Sequence, residues 1–227
     1  MNMEMSWETE EDILKHTIRG FKEKWNVGYE YAPENLVTFV GSKILVEQQH
    51  EIIIFLYYIQ YLYKYADDPD EARYLDANTK NELLRYQKDG GLCIHLSIVL
   101  YFLLLKYSTI KKSNLAYCQG FYRIRFIEAD DIINHLSNEK SGLHAWLELD
   151  NAIIDISINQ ISVNQVPILG VIPENVELKG FRETHECAKV YAKQMANYLG
   201  LKRKKWIANH EKNAKRVWVE FLRTQKK

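Results

Sequence analysis

Two apolar stretches, at residues 52–63 and 96–105, place the strongest constraint on how this chain folds. Each is well short of the roughly 20 apolar residues that a helix needs to cross a bilayer. The first lies in a predicted helix at about 44–65 that is apolar nearly all round, and the second keeps helical spacing from Cys93 to about Tyr107. We therefore expect two buried core helices and no membrane partner.

Turn signals divide the rest of the chain into further elements. Asp68 and Pro69 predict the cap and first turn of a short helix, and Gly90-Gly91 ends a helix predicted at about 78–87. Other expected elements are an N-terminal helix capped by Thr9, a strand at 114–126, a loop or short helix at 128–137, weak strands at 158–180, and helices at 188–199 and 206–222. This order predicts an α+β fold: a central antiparallel sheet packed on a core helix that begins at Cys93, with additional N- and C-terminal helices.

Composition excludes several classes of protein. Basic and acidic residues balance at 30 each, so net charge gives no attraction to nucleic acid or membrane. The last predicted helix is basic, but a solvated helix face is the ordinary interpretation and no nucleic-acid partner is expected. Three cysteines without a CxxC pair, together with an acidic N-terminus that lacks a secretory pattern, predict a reducing cytoplasmic location. No oligomeric state is predicted.

The clearest local prediction is a β-hairpin. Two strand-like segments, 144–149 and 152–157, flank a two-residue turn, which sets Leu149 opposite Ala152. Because side chains alternate along a strand, His144 and Asp155 then share one face as diagonal neighbours, within reach of an imidazole–carboxylate hydrogen bond. A slip of one residue would separate them.

Cys93 lies where the glycine turn gives way to the apolar helix. A helix N-terminus and a nearby imidazole are the usual means of generating the reactive thiolate form of a cysteine. The order Cys93, His144, Asp155 therefore predicts a thiol nucleophile, a base and an orienting carboxylate.

These residues resemble those of the transglutaminase-like cysteine peptidase superfamily, in the papain-like branch of Cys–His–Asp folds. The resemblance rests on Gly-Gly-Leu-Cys93 opening a helix, a strand near Gly120-Phe-Tyr, His144-Ala-Trp, and Asp155, and it covers about residues 87–157. In that family the cysteine starts a core helix, and the histidine and aspartate lie on adjacent strands. The His–Asp interval is shorter here than in some members, and no proline follows Asp155.

The resemblance implies a cysteine-dependent amide-bond hydrolase or acyltransferase that acts on a peptide or protein through a thioester, without a cofactor. The family contains cross-linking enzymes, deamidases and peptidases, and the motif does not separate hydrolysis from transamidation. We expect a single domain over residues 1–227, with a helical N-terminal part at 1–86, the catalytic core at 87–160 and C-terminal helices at 180–227.

Further site residues are expected around the triad. The backbone N–H of Cys93 is one candidate oxyanion donor, and the side-chain amides of Gln87 and Gln119 are rival second donors. Trp146 and Tyr122 are candidates for lining a substrate cleft, although aromatic residues on strands mostly fill cores.

Several alternatives stay open from the residues alone. A free cysteine is often a buried small hydrophobe, which is the interpretation preferred for Cys118 and Cys187. A catalytically inactive domain of the same fold, acting as a peptide- or protein-binding module, is the main alternative function. His95 projects from nearly the opposite side of the helix to Cys93. No metal is expected, since HExxH is absent and no fourth ligand accompanies the three triad residues.

Overall fold

The computed structural model describes residues 46–125, 139–150, 152–155, 157, 168–170, 172 and 176–225. Within these ranges, none of the helices combines the length and apolar character needed to span a bilayer. The predicted N-terminal helix capped by Thr9 and the predicted loop or helix at 128–137 lie outside them.

The described residues form an α+β structure, as predicted. In chain order the elements are α1 (Val46–Lys64), a 3₁₀ turn (Pro69–Glu71), α2 (Ala77–Asp89), α3 (Leu92–Tyr107), β1 (Leu115–Arg125), β2 (Glu139–Leu149), β3 (Ala152–Asp155), β4 (Ile168–Gly170), β5 (Val176–Glu183), α4 (His185–Tyr198) and α5 (Arg203–Gln225). All strand pairs described are antiparallel, in the order β4-β3-β2-β1-β5.

Local signals explain where the helices next to Cys93 begin and end. The Asp76 side chain caps α2 by accepting a hydrogen bond from the Thr79 N–H at 2.9 Å. Gly90 and Gly91 then take φ values of +78° and +85°, which residues with a Cβ rarely adopt. This pair separates α2 from α3.

Three element predictions need correction. The turn at Pro69 is a 3₁₀ turn, and the Asp68 side chain makes no capping hydrogen bond. The weak strands expected at 158–180 include β5, which continues to Glu183. The C-terminal helices consequently begin at His185 rather than at residue 180. The charged, largely exposed side chains of β5 explain the weak signal, because an edge strand does not need a continuous apolar face.

The hairpin register is confirmed. Leu149 pairs with Ala152 and Leu147 with Ile154. Asp150 in the turn has φ +48°, the left-handed conformation expected of a two-residue hairpin loop.

The sheet buries apolar side chains on both faces. One face packs on α3, and Ser97 in that helix donates a hydrogen bond to the Ala145 carbonyl at 3.1 Å. The main core on this face includes Leu56, Leu62, Leu83, Leu96, Leu100, Leu104, Leu115, Tyr117, Leu147, Leu149, Ile154, Ala192, Trp206 and Phe221. A smaller cluster on the opposite face contains Cys118, Ile124, Trp146, Ile153 and Val176. Alternation along β1, β2 and β3 accounts for both sets.

Candidate active site

Cys93 is the second residue of α3, half-buried, directly after the glycine pair. The first helical hydrogen bond recorded in this turn runs from the His95 N–H to the Gly91 carbonyl, at 3.1 Å. The Cys93 N–H therefore precedes the helical ladder and belongs to the positive end of the helix dipole.

His144 and Asp155 form the hydrogen bond predicted from the hairpin. His144 Nε2 lies 2.6 Å from Asp155 Oδ2, and the two side chains are 2% and 0% exposed. The other carboxylate oxygen accepts hydrogen bonds from the Ser157 N–H at 3.1 Å and the Ser157 hydroxyl at 3.3 Å. Both oxygens of the buried carboxylate are thus satisfied, which fixes its orientation toward the ring.

Cys93 lies close enough to this imidazole to be among the groups that raise the pKa of His144. Because Nε2 is engaged by Asp155, Nδ1 is the ring nitrogen left for the sulfur. Burial alone would lower the pKa of His144, but the charge and hydrogen bond of Asp155, followed by Cys93, raise it to about 10. The structure therefore brings Cys93 of α3 next to the His144–Asp155 hydrogen bond of β2 and β3.

Two aromatic residues named as cleft candidates pack on this imidazole. Tyr122 is half-buried and meets the His144 ring edge-on, with centroids 5.7 Å apart. Trp146 lies nearly parallel to His144 at 6.4 Å and is buried. Trp146 thus packs on His144 from within the smaller core, whereas Tyr122 is partly exposed. A Cβ on Gly180 would come within 2.5 Å of the Trp146 ring, so only glycine fits there.

Of the two glutamines proposed as oxyanion donors, only Gln119 has a described side chain. Gln87 lies near the end of α2, and its side chain is outside the described residues. Gln119 on β1 donates from Nε2 to the Tyr117 hydroxyl and accepts from the Tyr191 hydroxyl at 3.4 Å. Its amide is therefore held in a tyrosine network that the sequence pattern did not predict, since Tyr191 comes from the distant helix α4.

The other two cysteines lack an acid–base partner of the kind Cys93 has. All three cysteines are free thiols. Cys118 is buried on β1, where burial and then the nearby Glu148 raise its pKa to about 12. Burial and then Glu183 also raise the pKa of Cys187 on α4. Raised pKa values keep both thiols protonated near neutral pH, in agreement with their predicted structural role.

A second buried polar cluster was missed by the sequence analysis. Glu82 of α2, His95 of α3 and His210 of α5 bring one potential ligand atom each to within 4.8 Å of one another. Burial, and then the charge of His210, hold the pKa of His95 well below its usual value. In the sequence, this cluster is marked only by Glu82 and His210, two polar residues within the buried stripes of their helices.

Comparisons of the chain with protein-family models, curated proteins and solved structures find no match. The resemblance to transglutaminase-like peptidases consequently stays a prediction that rests on the site residues themselves.

Proposed function

We propose that this protein is a cysteine-dependent amide-bond hydrolase or acyltransferase with Cys93 as nucleophile, His144 as acid–base and Asp155 as the residue that orients the imidazole. One observation carries the proposal: the His144–Asp155 hydrogen bond, with Cys93 close enough to that imidazole to raise its pKa. A nucleophile bonded to a base, with the base held by a third group, is the arrangement that nucleophilic catalysis requires.

The chemistry follows from the positions of these groups. The Cys93 sulfur attacks the carbonyl carbon of an amide, and the negative charge moves to the carbonyl oxygen. As the C–N bond breaks, His144 gives its proton to the departing amine, leaving a thioester on Cys93. Water or a second amine then loses a proton to His144 and attacks the thioester, which releases the acid or new amide and restores the sulfur.

Asp155 keeps the imidazole in the tautomer and orientation that this sequence needs. Its negative charge favours the imidazolium that forms when His144 holds the proton. The oxyanion of the tetrahedral intermediate also needs donors. We assign one to the Cys93 N–H, because it precedes the helical ladder at the positive end of α3.

The proposed substrate is a peptide or protein. Support comes from three large apolar side chains, Phe121, Leu143 and Phe181, which are 60%, 76% and 80% exposed. Phe121 pairs directly with Leu143, and Phe181 lies opposite Gln119, so the three share one face of the sheet. Leu143 directly precedes His144, so its side chain lies on the other face of the sheet, the face that packs on α3. Exposed apolar patches of this kind mark surfaces that bind other chains.

We place this reaction in the cytoplasm, where free thiols persist. The support is that Cys93, Cys118 and Cys187 are all unpaired.

The test is a comparison of single cysteine variants. Wild-type protein is incubated with a library of glutamine-containing peptides, with and without hydroxylamine as the acceptor amine, and products are followed as free ammonia, cleaved peptide or hydroxamate. Cys93→Ala should abolish all three products, whereas Cys118→Ala and Cys187→Ala should retain them. Circular dichroism verifies that each variant is folded.

A second measurement works without a known substrate. Iodoacetamide at about pH 6 should label Cys93 rapidly in the folded protein and slowly in His144→Ala, because an ordinary thiol is almost wholly protonated there. Equal turnover by Cys93→Ala would end the proposal. If Cys93 is not alkylated at pH 6 and no amide in the library is turned over, the binding-module alternative is favoured.

A further inference from the structure

We propose that Glu82, His95 and His210 form a binding site for a divalent transition-metal ion, of which zinc is the best fit, on the side of α3 opposite Cys93. The three residues are 2%, 0% and 1% exposed. They come from α2, α3 and α5, so an ion bound here would join three helices at the turn that carries Cys93.

The first support is an unpartnered side chain at the point of convergence. Both ring nitrogens of His95 are buried without a hydrogen-bond partner among the described residues, and Glu82 Oε2 and His210 Nε2 lie beside them, 3.1 Å from each other. Leaving a buried polar atom unsatisfied costs about 1–3 kcal/mol. The bare nitrogens of His95 beside this carboxylate–imidazole pair indicate that something binds between them.

The second support is that the remaining atoms of two ligands are already held. Glu82 Oε1 accepts a hydrogen bond from the Trp206 indole N–H. His210 Nδ1 is 2.8 Å from the Tyr58 hydroxyl. Outer contacts of this kind orient metal ligands and fix the histidine tautomer. In the tautomer in which His210 Nδ1–H donates to the Tyr58 oxygen, Nε2 presents its lone pair to the cluster.

Geometry and charge agree with a metal ion. Tetrahedral ligands about 2.0–2.2 Å from zinc stand about 3.4 Å apart, and Glu82 Oε2 lies 3.1 Å from His210 Nε2. Closure of His95 onto this pair requires a small side-chain adjustment. Within the described ranges, His210 is the ion-pair partner of Glu82, and no Lys or Arg joins them; a divalent cation would add positive charge beside this buried carboxylate.

Two neutral imidazoles and one carboxylate are borderline ligands that suit zinc rather than calcium or magnesium. A tetrahedral ion would take a water as fourth ligand. Because the site is closed, the ion would be incorporated as the protein folds, so metal binding and folding are coupled.

The test measures zinc in the full chain purified from zinc-supplemented medium and after refolding with ZnCl2. We expect about one zinc ion per chain by plasma mass spectrometry, and loss of that ion in Glu82→Gln, His95→Gln and His210→Gln. The variant His185→Gln, which removes a histidine elsewhere, should keep it. So should the double variant Cys93→Ser/His144→Ala, which removes the ligands of a competing site.

Two further measurements do not depend on substituting the ligands. Tyr58→Phe should bind zinc about 10–100-fold more weakly than wild type, since it loses the contact that orients His210. Cobalt bound to Cys93→Ser should show tetrahedral absorption bands without a sulfur charge-transfer band.

The proposal is overturned if the wild type carries no zinc after both preparations, which would mean that only water fills the cluster. It is equally overturned if folded His95→Gln and His210→Gln retain the ion. Neither result bears on the cysteine chemistry, because turnover by the Cys93 site is measured separately.

Discussion

His144 and His95 are both buried near the first turn of α3, yet their surroundings differ completely. His144 has a carboxylate at 2.6 Å, and its pKa is raised to about 10. Among the described residues, neither ring nitrogen of His95 has a hydrogen-bond partner, and the pKa of His95 is lowered well below the usual value by burial and then by His210. The comparison shows that burial alone drives a histidine toward the neutral form, and that a well-placed carboxylate reverses the outcome.

This difference assigns the two histidines different chemistry. A buried imidazole with a satisfied carboxylate can hold and release a proton beside a nucleophile. A buried neutral imidazole without a hydrogen-bond partner has a lone pair to offer to a metal ion. The two proposals thus assign different chemistry to two buried histidines.

Among the predictions for the His144 site, Asp155→Asn should have the largest effect on turnover and on Cys93 alkylation. Asparagine keeps the shape but removes the charge that stabilises the imidazolium, and its amide favours the wrong tautomer. We expect turnover and Cys93 alkylation at pH 6 to fall by about 10²–10⁴-fold. The matched control is Asp150→Asn, which removes a carboxylate from the same hairpin and should leave both rates unchanged. If Cys93 in folded Asp155→Asn is alkylated as fast as in wild type, the Asp155 carboxylate does not support the Cys93–His144 pair.

Replacing each histidine by leucine should separate the two regions by stability. His144→Leu leaves the Asp155 carboxylate buried without its cationic partner, and we expect the free energy of unfolding to fall by about 3–5 kcal/mol. His95→Leu removes two unsatisfied nitrogens, so in metal-free protein the change should be under about 1.5 kcal/mol. Urea unfolding in the presence of a chelator measures both. Equal losses would remove the distinction drawn between the sites.

The pH dependence of stability should report the His144–Asp155 pair. Because the pKa of His144 is raised from 6.5 in the unfolded chain to about 10 in the folded protein, the pair contributes its full stability below about pH 6.5. That contribution should decline as pH rises toward about 10. The measurement is the difference in unfolding free energy between wild type and His144→Gln across this window. A difference that stays flat or grows with pH contradicts the assignment.

Much of the fold near the candidate site was predictable because it depends on short-range patterns. The glycine pair before Cys93, the helical spacing of α3 and the hairpin register were all confirmed. The hairpin prediction even placed His144 beside Asp155, since alternation and a two-residue turn leave one register that buries the apolar face. The edge strand β5 was only weakly predicted, because a strand exposed on one side carries charged residues that mask its pattern.

The sequence by itself predicted most of the described elements and the His144–Asp155 hydrogen bond, since each depends on residues that lie close together in the chain. Only the tertiary structure decided which helix end meets that pair, and it alone brought Glu82, His95 and His210 together. Glu82 and His210 are 128 positions apart in the chain. Contacts over such distances depend on how helices pack, and helix packing responds to the shape of every side chain in the shared core rather than to any local pattern.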